Sequence, residues 1–311
     1  MPPTRIAFTS CSHIEFRPDQ PVWDLIAAAD PQLLLLLGDT VYMSYEPTDP
    51  WDFERLDGLY AKQLAHAPFR DLVKRQPTLA IWDDHDFGID NACGADHPIQ
   101  RDEALRLFLK HMMPIQARRP EDRQRVFGRY DGLPGIRVLM LDERYWREPV
   151  WAGETGRTML GPDQEQWLFD ELADDDDDVR ITIVCSGSTV DRGGPSESLR
   201  DYEPFFADLK KACSRRGHTL LLTGDVHYNR FDSHHVDDKV GAASGLAFHE
   251  ATSSGSAHRT YRSQRLLNNW GLLTVTDKAV RVDLFDGPRG GDHHWMIDKA
   301  TWIATKVKNP T

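Results

Sequence analysis

The chain is expected to be an α/β protein in which stacked mixed β-sheets are flanked by helices. Three observations predict it. Short, continuously apolar runs of strand length alternate with segments of helical periodicity. Several of those runs stop abruptly at polar residues, twice at Gly-Asp (Gly38-Asp39 and Gly224-Asp225). A late pair of runs, Leu272 to Thr276 and Ala279 to Phe285, is separated only by Asp277-Lys278, the pattern of a hairpin.

In chain order, Ile6 to Ser10 reads as a short strand, and Pro21 opens a helical pattern through Trp23, Leu25, Ile26 and Ala29. Leu33 to Leu37 reads as a strand buried on both faces, giving a βαβ unit with its neighbours. The segment Trp51 to Phe69 is expected to be helical, Thr78 to Trp82 a strand, and Asp102 to Met113 a helix ended by Pro114. Arg137 to Leu141 is the next strand, and Gly161-Pro162-Asp163 starts a helix carrying Trp167, Leu168 and Leu172. The acidic run Asp174 to Asp178 reads as a solvated connection, followed by strand Ile181 to Cys185 and a helix around Phe205, Phe206 and Leu209. Leu220 to Thr223 and Leu246 to Glu250 are the strands before the hairpin. With no internal repeat, low-complexity linker or composition break, residues 1–311 read as one domain.

Composition narrows the function classes. At 311 residues, 40% hydrophobic and 28% charged, the chain has the balance of a globular protein with a proper core. A formal net charge of -12 argues against a general nucleic-acid or anionic-membrane surface, which needs a basic face. The four cysteines (Cys11, Cys93, Cys185, Cys213) lack C-x-x-C spacing, so neither a zinc knuckle nor a disulfide framework is indicated. The N-terminus shows no signal-peptide pattern, and Leu33 to Leu37 is far short of the ~20 residues of a membrane span. A cytoplasmic location is expected.

Chemistry concentrates in Trp82-Asp83-Asp84-His85-Asp86-Phe87-Gly88, where three carboxylates and an imidazole occupy four consecutive positions at a strand end. Burying them unpaired costs several kcal/mol, so a cation is expected beside them. A metal ion suits carboxylate and imidazole donors. The competing reading is an acidic loop with a hydrogen-bonded His. Three further clusters share the strand-end position: Ser10-Cys11-Ser12, Gly38-Asp39-x-x-Tyr42 and Gly224-Asp225-x-His227. In α/β sheets such ends border the ligand crevice, so the clusters can converge there.

The set resembles the calcineurin-like metallophosphoesterases, and its departures resemble their alkaline phosphatase D (PhoD-like) branch of phosphodiesterases/phosphatases. Those departures are Ser-Cys at the first strand, Gly-Asp-x-x-Tyr at the second, Trp-Asp-Asp-His at the third and Gly-Asp-Val-His near the end. Leu141-Asp142-x-Arg144, Gly161-x-x-Gln164-x-x-Trp167-Leu168 and Glu250-x-x-Ser253-Ser254 resemble family segments too, so the likeness runs from residue 5 to about 285. The chain is expected to lack the N-terminal β-domain and export signal of secreted members.

The resemblance implies a dinuclear site with Fe3+ and Ca2+. Cys11, Tyr42 and His227 would hold the iron, Asp39 would bridge both ions, and Asp84 and Asp225 would serve the second. Asp84 stands where relatives have Asn, and Asp225 where they have His. That oxygen-rich second site favours calcium over Zn2+ on donor chemistry alone, with Zn2+ or Mn2+ as the alternatives. Whether Asp83 or Asp86 also ligates is open at this point. The expected activity is hydrolysis of small phosphate diesters or monoesters by metal-activated hydroxide, with His85 as proton donor. Arg144 is a candidate phosphate fork, or else an ion-pair partner of Asp142 or Glu143. A non-catalytic metal-binding module, or a hydrolase of another ester, is the alternative. Cys185 and Cys213 read as inert core thiols, Cys93 as an exposed one, and the doublets His234-His235 and His293-His294 as surface loops.

Overall fold

A computed structural model describes residues 2–44, 46–118, 124–150, 154–192, 197–237, 245–258, 266–286 and 292–308. Thirteen strands form two sheets among them. The first contains β1 (Thr4–Thr9), β2 (Leu33–Leu37), β3 (Thr78–Ile81), β10 (Trp270–Val275), β11 (Ala279–Phe285), β12 (His293–Asp298) and β13 (Ile303–Val307), in the order β13-β12-β11-β10-β1-β2-β3. The second contains β4 (Gly128–Leu133), β5 (Ile136–Met140), β6 (Ile181–Cys185), β7 (Thr219–Thr223), β8 (Asn229–His235) and β9 (Leu246–Ser253), in the order β4-β5-β6-β7-β9-β8. Strands β1, β2 and β3 run parallel, as do β5, β6, β7 and β9. The remaining neighbours are antiparallel, so both sheets are mixed.

The side-chain alternation of the strands fixes the layers. Ile136, Val138 and Met140 join Ile181, Ile183, Leu220 and Leu222 in a core shared with β1, β2 and β3. The intervening Leu139, Val184 and Leu221 point the other way, into a second core built with α6 (Pro162–Ala173) and α7 (Phe205–Arg216). Helices α1 (Val22–Ala28), α2 (Phe53–Ala65), α3 (Ala67–Arg75) and α5 (Gln100–Met112) add their apolar faces to the first core. The five consecutive leucines of β2 are all buried, as a strand covered on both faces demands.

Four differences from the sequence reading have physical causes. The helix expected over 51–69 is two helices broken at His66, whose backbone is extended; Pro68 then falls in the first turn of α3, the place that tolerates its missing N–H. Strands β4, β8 and β13 are sheet edges, and β12 lies next to one. Their polar, half-buried sequences lack the apolar run that marks an interior strand. His234 and His293-His294 lie in strands β8 and β12 rather than loops, and His294 is buried with Nδ1 2.5 Å from Asp283 Oδ1. Cys93 is buried, not exposed. Cys185 and Cys213 are buried as expected, and burial pushes the Cys213 thiol up to about 12.

The ends of β1, β2, β3 and β7 meet where the two sheets open. Ser10 Oγ donates to the Ser253 carbonyl (3.4 Å), Gly255 N–H to the Ser10 carbonyl (3.1 Å) and Cys11 N–H to the Gly38 carbonyl (3.2 Å). Gly38 makes this closeness possible: its φ is +90, and a Cβ there would stand 2.6 Å from Asp83 Cβ. No helix among the described residues is long and apolar enough to cross a membrane.

Gly38→Ala should therefore cost about 2 kcal/mol or more in denaturant unfolding, from the left-handed φ and the Asp83 clash together. Gly58→Ala, in α2 with nothing within 4 Å of the new methyl, should be neutral or stabilising by about 0.5–1 kcal/mol. Equal effects of the two changes would show that the β2–β3 junction is not as tight as described.

Candidate metal centre

Each cluster leaves its strand by a sharp reversal, and the backbone records the cost. Cys11 (φ 61), Asp39 (φ 53), Asp225 (φ 70) and His227 (φ 56) all occupy the left-handed region, which non-glycine residues rarely adopt. Such conformations cost about 1–3 kcal/mol each and are held where they aim a functional group. After β3 the chain instead enters a one-turn helix, α4 (Asp84–Phe87). Asp86 braces that corner. Its Oδ2 accepts from Thr40 N–H (3.1 Å) and Asp83 N–H (3.3 Å), and its Oδ1 from Val41 N–H (3.3 Å) and the Tyr60 hydroxyl (3.1 Å). Both oxygens are thus engaged, and burial still pushes this carboxyl up to about 7.

The corner brings the expected donors together in two groups. Single donor atoms of Cys11, Asp39 and His227 lie within 4.8 Å of one another, and so do those of Asp39, Asp84 and His85. Asp39 belongs to both. Tyr42 completes the first group: its hydroxyl lies 3.1 Å from Asp39 Oδ2 and 3.2 Å from His227 Nε2. Cys11 Sγ is 3.4 Å from the same Asp39 oxygen and receives a hydrogen bond from Ser254 Oγ (3.1 Å). In the second group Asp39 Oδ1 accepts from His85 N–H (3.3 Å), and Asp84 Oδ2 accepts from Asn91 N–H (2.7 Å).

The carboxylate of Asp225 stands outside both groups and faces Arg192 Nη1 at 3.4 Å, while its carbonyl lies 3.6 Å from Cys11 Sγ. Arg144 is fully buried. Its guanidinium pairs with Asp83 (Nε to Oδ1, 2.6 Å) and with Glu197 (Nη1 to Oε1, 3.2 Å), not with the carboxylates of Asp142 or Glu143. Asp83 is thereby committed to Arg144, and Asp86 to the corner. Sequence reasoning missed four neighbours. His13 stacks on Tyr42 (4.5 Å) and His258 on His227 (4.0 Å), and Glu197 and Arg192 adjoin Asp225 and the buried arginines. Only His13, two residues after Cys11, carried a sequence signal. The others sit in segments without pattern.

The electrostatics say what the groups lack. Burial, reinforced by Asp39, raises the Cys11 thiol and the Tyr42 phenol well above their ordinary values. Burial and the facing Asp84 and Asp83 raise Asp39 as well, and burial together with His258 holds His227 neutral. Asp84 goes the other way: burial opposes its charge, but His85, Arg144 and the Asn91 N–H outweigh it and keep it ionised. Asp83 Oδ2, Asp84 Oδ1 and His85 Nδ1 are buried without a hydrogen-bond partner. Thiol, phenol, neutral imidazole and carboxylates held this close, with orphaned oxygens, are a donor set that fits metal ions: a cation brings the raised Cys11, Tyr42 and Asp39 groups down to their anionic, ligating forms, and His227 is already neutral.

Metal loading of chelator-stripped protein should raise Tm by about 5 °C or more when the ion is present at 100 times its Kd. In Asp39→Asn most of that shift should vanish, because Asp39 serves both groups. An undiminished shift in Asp39→Asn would place the ions elsewhere.

The family model for PhoD-like phosphatases matches residues 6–282. No curated protein matches the chain. Among solved structures, PhoD superposes with a TM-score of 0.77 at 19% identity, covering 100% of this chain and 72% of PhoD. A dimetal phosphatase from Danio rerio superposes with a TM-score of 0.59 at 11% identity (94% and 99% of the two chains). The Plasmodium protein GAP50, described as the anchor in the inner membrane complex, gives 0.53 at 9% identity (100% and 90%). At these identities the likenesses to solved structures speak for the fold. The family match, spanning nearly the whole chain and all four strand-end clusters, carries the assignment: this chain belongs to the PhoD-like phosphatases.

Proposed function

We propose that the chain hydrolyses small phosphate esters, diesters or monoesters, at a dinuclear metal site. The observation that carries this reading is the sharing of Asp39 by two adjacent donor groups. Cys11, Tyr42, His227 and Asp39 would hold Fe3+, for which thiolate, phenolate and imidazole are apt donors. Asp39, Asp84 and Asp225 would hold the second ion, Ca2+, through oxygen alone, with Asp225 released from Arg192 on binding. Two such ions supply Lewis acidity towards phosphoryl oxygens and lower the pKa of water.

The chain's own groups do the rest. His85 stands beside the second ion's donors, with Nε2 3.8 Å from Asp84 Oδ2 and 3.6 Å from Asp90 Oδ1. Its ring is stacked on Tyr42 at 4.2 Å, which fixes the plane of the imidazole. From there it protonates the leaving alkoxide. Arg144, sealed from solvent, acts by charge: it neutralises Asp83 and helps to keep Asp84 ionised. A second reading of His85, as a metal ligand, is favoured by its place in the donor group with Asp39 and Asp84.

The test is turnover of chromogenic phosphate esters before and after chelation, extended to His85→Asn. Chelation should abolish activity and metal restore it. His85→Asn should lower kcat by roughly 10² to 10⁴, least for the most acidic leaving groups, with metal content unchanged. Equal losses across the leaving-group series, with metal lost, would make His85 a ligand. Metal-loaded protein inactive on every ester would leave a metal-binding module.

A further inference from the structure

Three guanidinium groups converge on one carboxylate at the rim of the site. Glu197 Oε1 lies 3.2 Å from Arg144 Nη1 and 3.7 Å from Arg147 Nη2, and Glu197 Oε2 lies 3.8 Å from Arg192 Nη1. The first two arginine side chains are 0% and 2% exposed; that of Arg192 is 45% exposed. Arg147 is further tied to the Tyr202 hydroxyl (2.7 Å) and Ser188 Oγ (3.3 Å). Neither buried guanidinium can reach a substrate without abandoning a buried carboxylate, a step that costs several kcal/mol. Arg192 is placed differently. Its backbone is anchored, with N–H donating to Ser198 Oγ (2.8 Å), while its side chain's ion pairs among the described residues are longer, 3.4 Å to Asp225 and 3.8 Å to Glu197.

The Asp225 contact explains why the side chain waits there. The Asp225 side chain is only 12% exposed, and the cation paired with it among the described residues is the half-exposed Arg192 guanidinium. Were Asp225 to hold a divalent ion, that ion would replace the guanidinium as the carboxylate's partner. The guanidinium is then left at the solvent edge of the site, its Glu197 contact too long for a hydrogen bond, with a planar fork of donors to offer.

We propose that Arg192 is the phosphoryl-binding residue of this enzyme: freed from Asp225 by the second ion, it grips two oxygens of the substrate or product phosphate, and it favours dianionic monoesters over monoanionic diesters. The inference rests on the dinuclear phosphoesterase reading above. The preference follows from charge. A monoester brings one more negative charge to the site than a diester, and a terminal phosphoryl group keeps oxygens free for a bidentate fork.

The test is calorimetric binding of inorganic phosphate to the metal-loaded full chain, in wild type, Arg192→Gln and Arg192→Lys. Kinetics on a monoester and the matching methyl diester accompany it. Phosphate Kd should rise about tenfold or more in Arg192→Gln, and Arg192→Lys should recover only part of the loss, since lysine lacks the fork. The kcat/KM for the monoester should fall several-fold further than that for the diester. Affinity for the second ion should be unchanged or higher, because Asp225 has lost a competitor. Phosphate Kd within twofold of wild type, with both ions bound, would overturn the proposal. Loss of the second ion from Arg192→Gln would overturn it too, by making Arg192 a positioning residue for Asp225. A wild type that binds phosphate but turns over neither ester would sink the esterase reading alone, while the Kd comparison still decides the role of Arg192.

Discussion

Five aspartates, Asp39, Asp83, Asp84, Asp86 and Asp225, are packed into one corner of this molecule, and their mutual repulsion in a buried setting is the constraint that the surrounding structure answers. Each answer is different. Asp86 is met by N–H and O–H donors from Thr40, Val41, Asp83 and Tyr60, Asp83 by Arg144, and Asp225 by Arg192. Asp84 leans on His85, Arg144 and the Asn91 N–H. Asp39 has neutral donors only, from Cys11, Tyr42 and His85. Like Asp86 it has no cationic partner among the ion pairs of the described residues, but unlike Asp86 it joins the two donor groups. A pair of ions at this point would balance the corner.

The fold spends conformational strain to hold that corner open. Cys11, Asp39, Asp225 and His227 sit in left-handed backbone, and Gly38 lets β2 and β3 end almost in contact. Strands of both sheets contribute, so the donor set exists only when the two sheets are correctly stacked. The core between them, from Ile6 and Leu35 across to Ile183 and Leu222, is in this sense part of the site.

Much of this was legible in the sequence because the chemistry is contiguous and sits directly behind unmistakable strands. Leu33 to Leu37 followed by Gly38-Asp39, and Leu79 to Ile81 followed by Asp83 to Asp86, announce both the strand and its functional end. What escaped notice lacks such a label. The edge strands β4, β8 and β13 alternate weakly because water covers part of each. The break at His66 was signalled by Pro68, but the apolar pattern continues across it and hides it. Arg192, Glu197 and His258 come from irregular segments, where only tertiary structure says which side chain turns inward. For Arg144 the sequence offered a phosphate fork or an ion pair with its chain neighbours Asp142 or Glu143, whereas its ion-pair partner, Asp83, is 61 residues away.

The central claim is that Asp39 is shared by two different ions. Anomalous diffraction from crystals of metal-replete protein, recorded above and below the iron edge, tests it most directly. Two peaks are predicted per chain, both against Asp39. One should be strong at the iron edge beside Cys11, Tyr42 and His227, and the other should lack an iron edge and lie between Asp84 and Asp225. A single peak, or peaks remote from Asp39, would contradict the account.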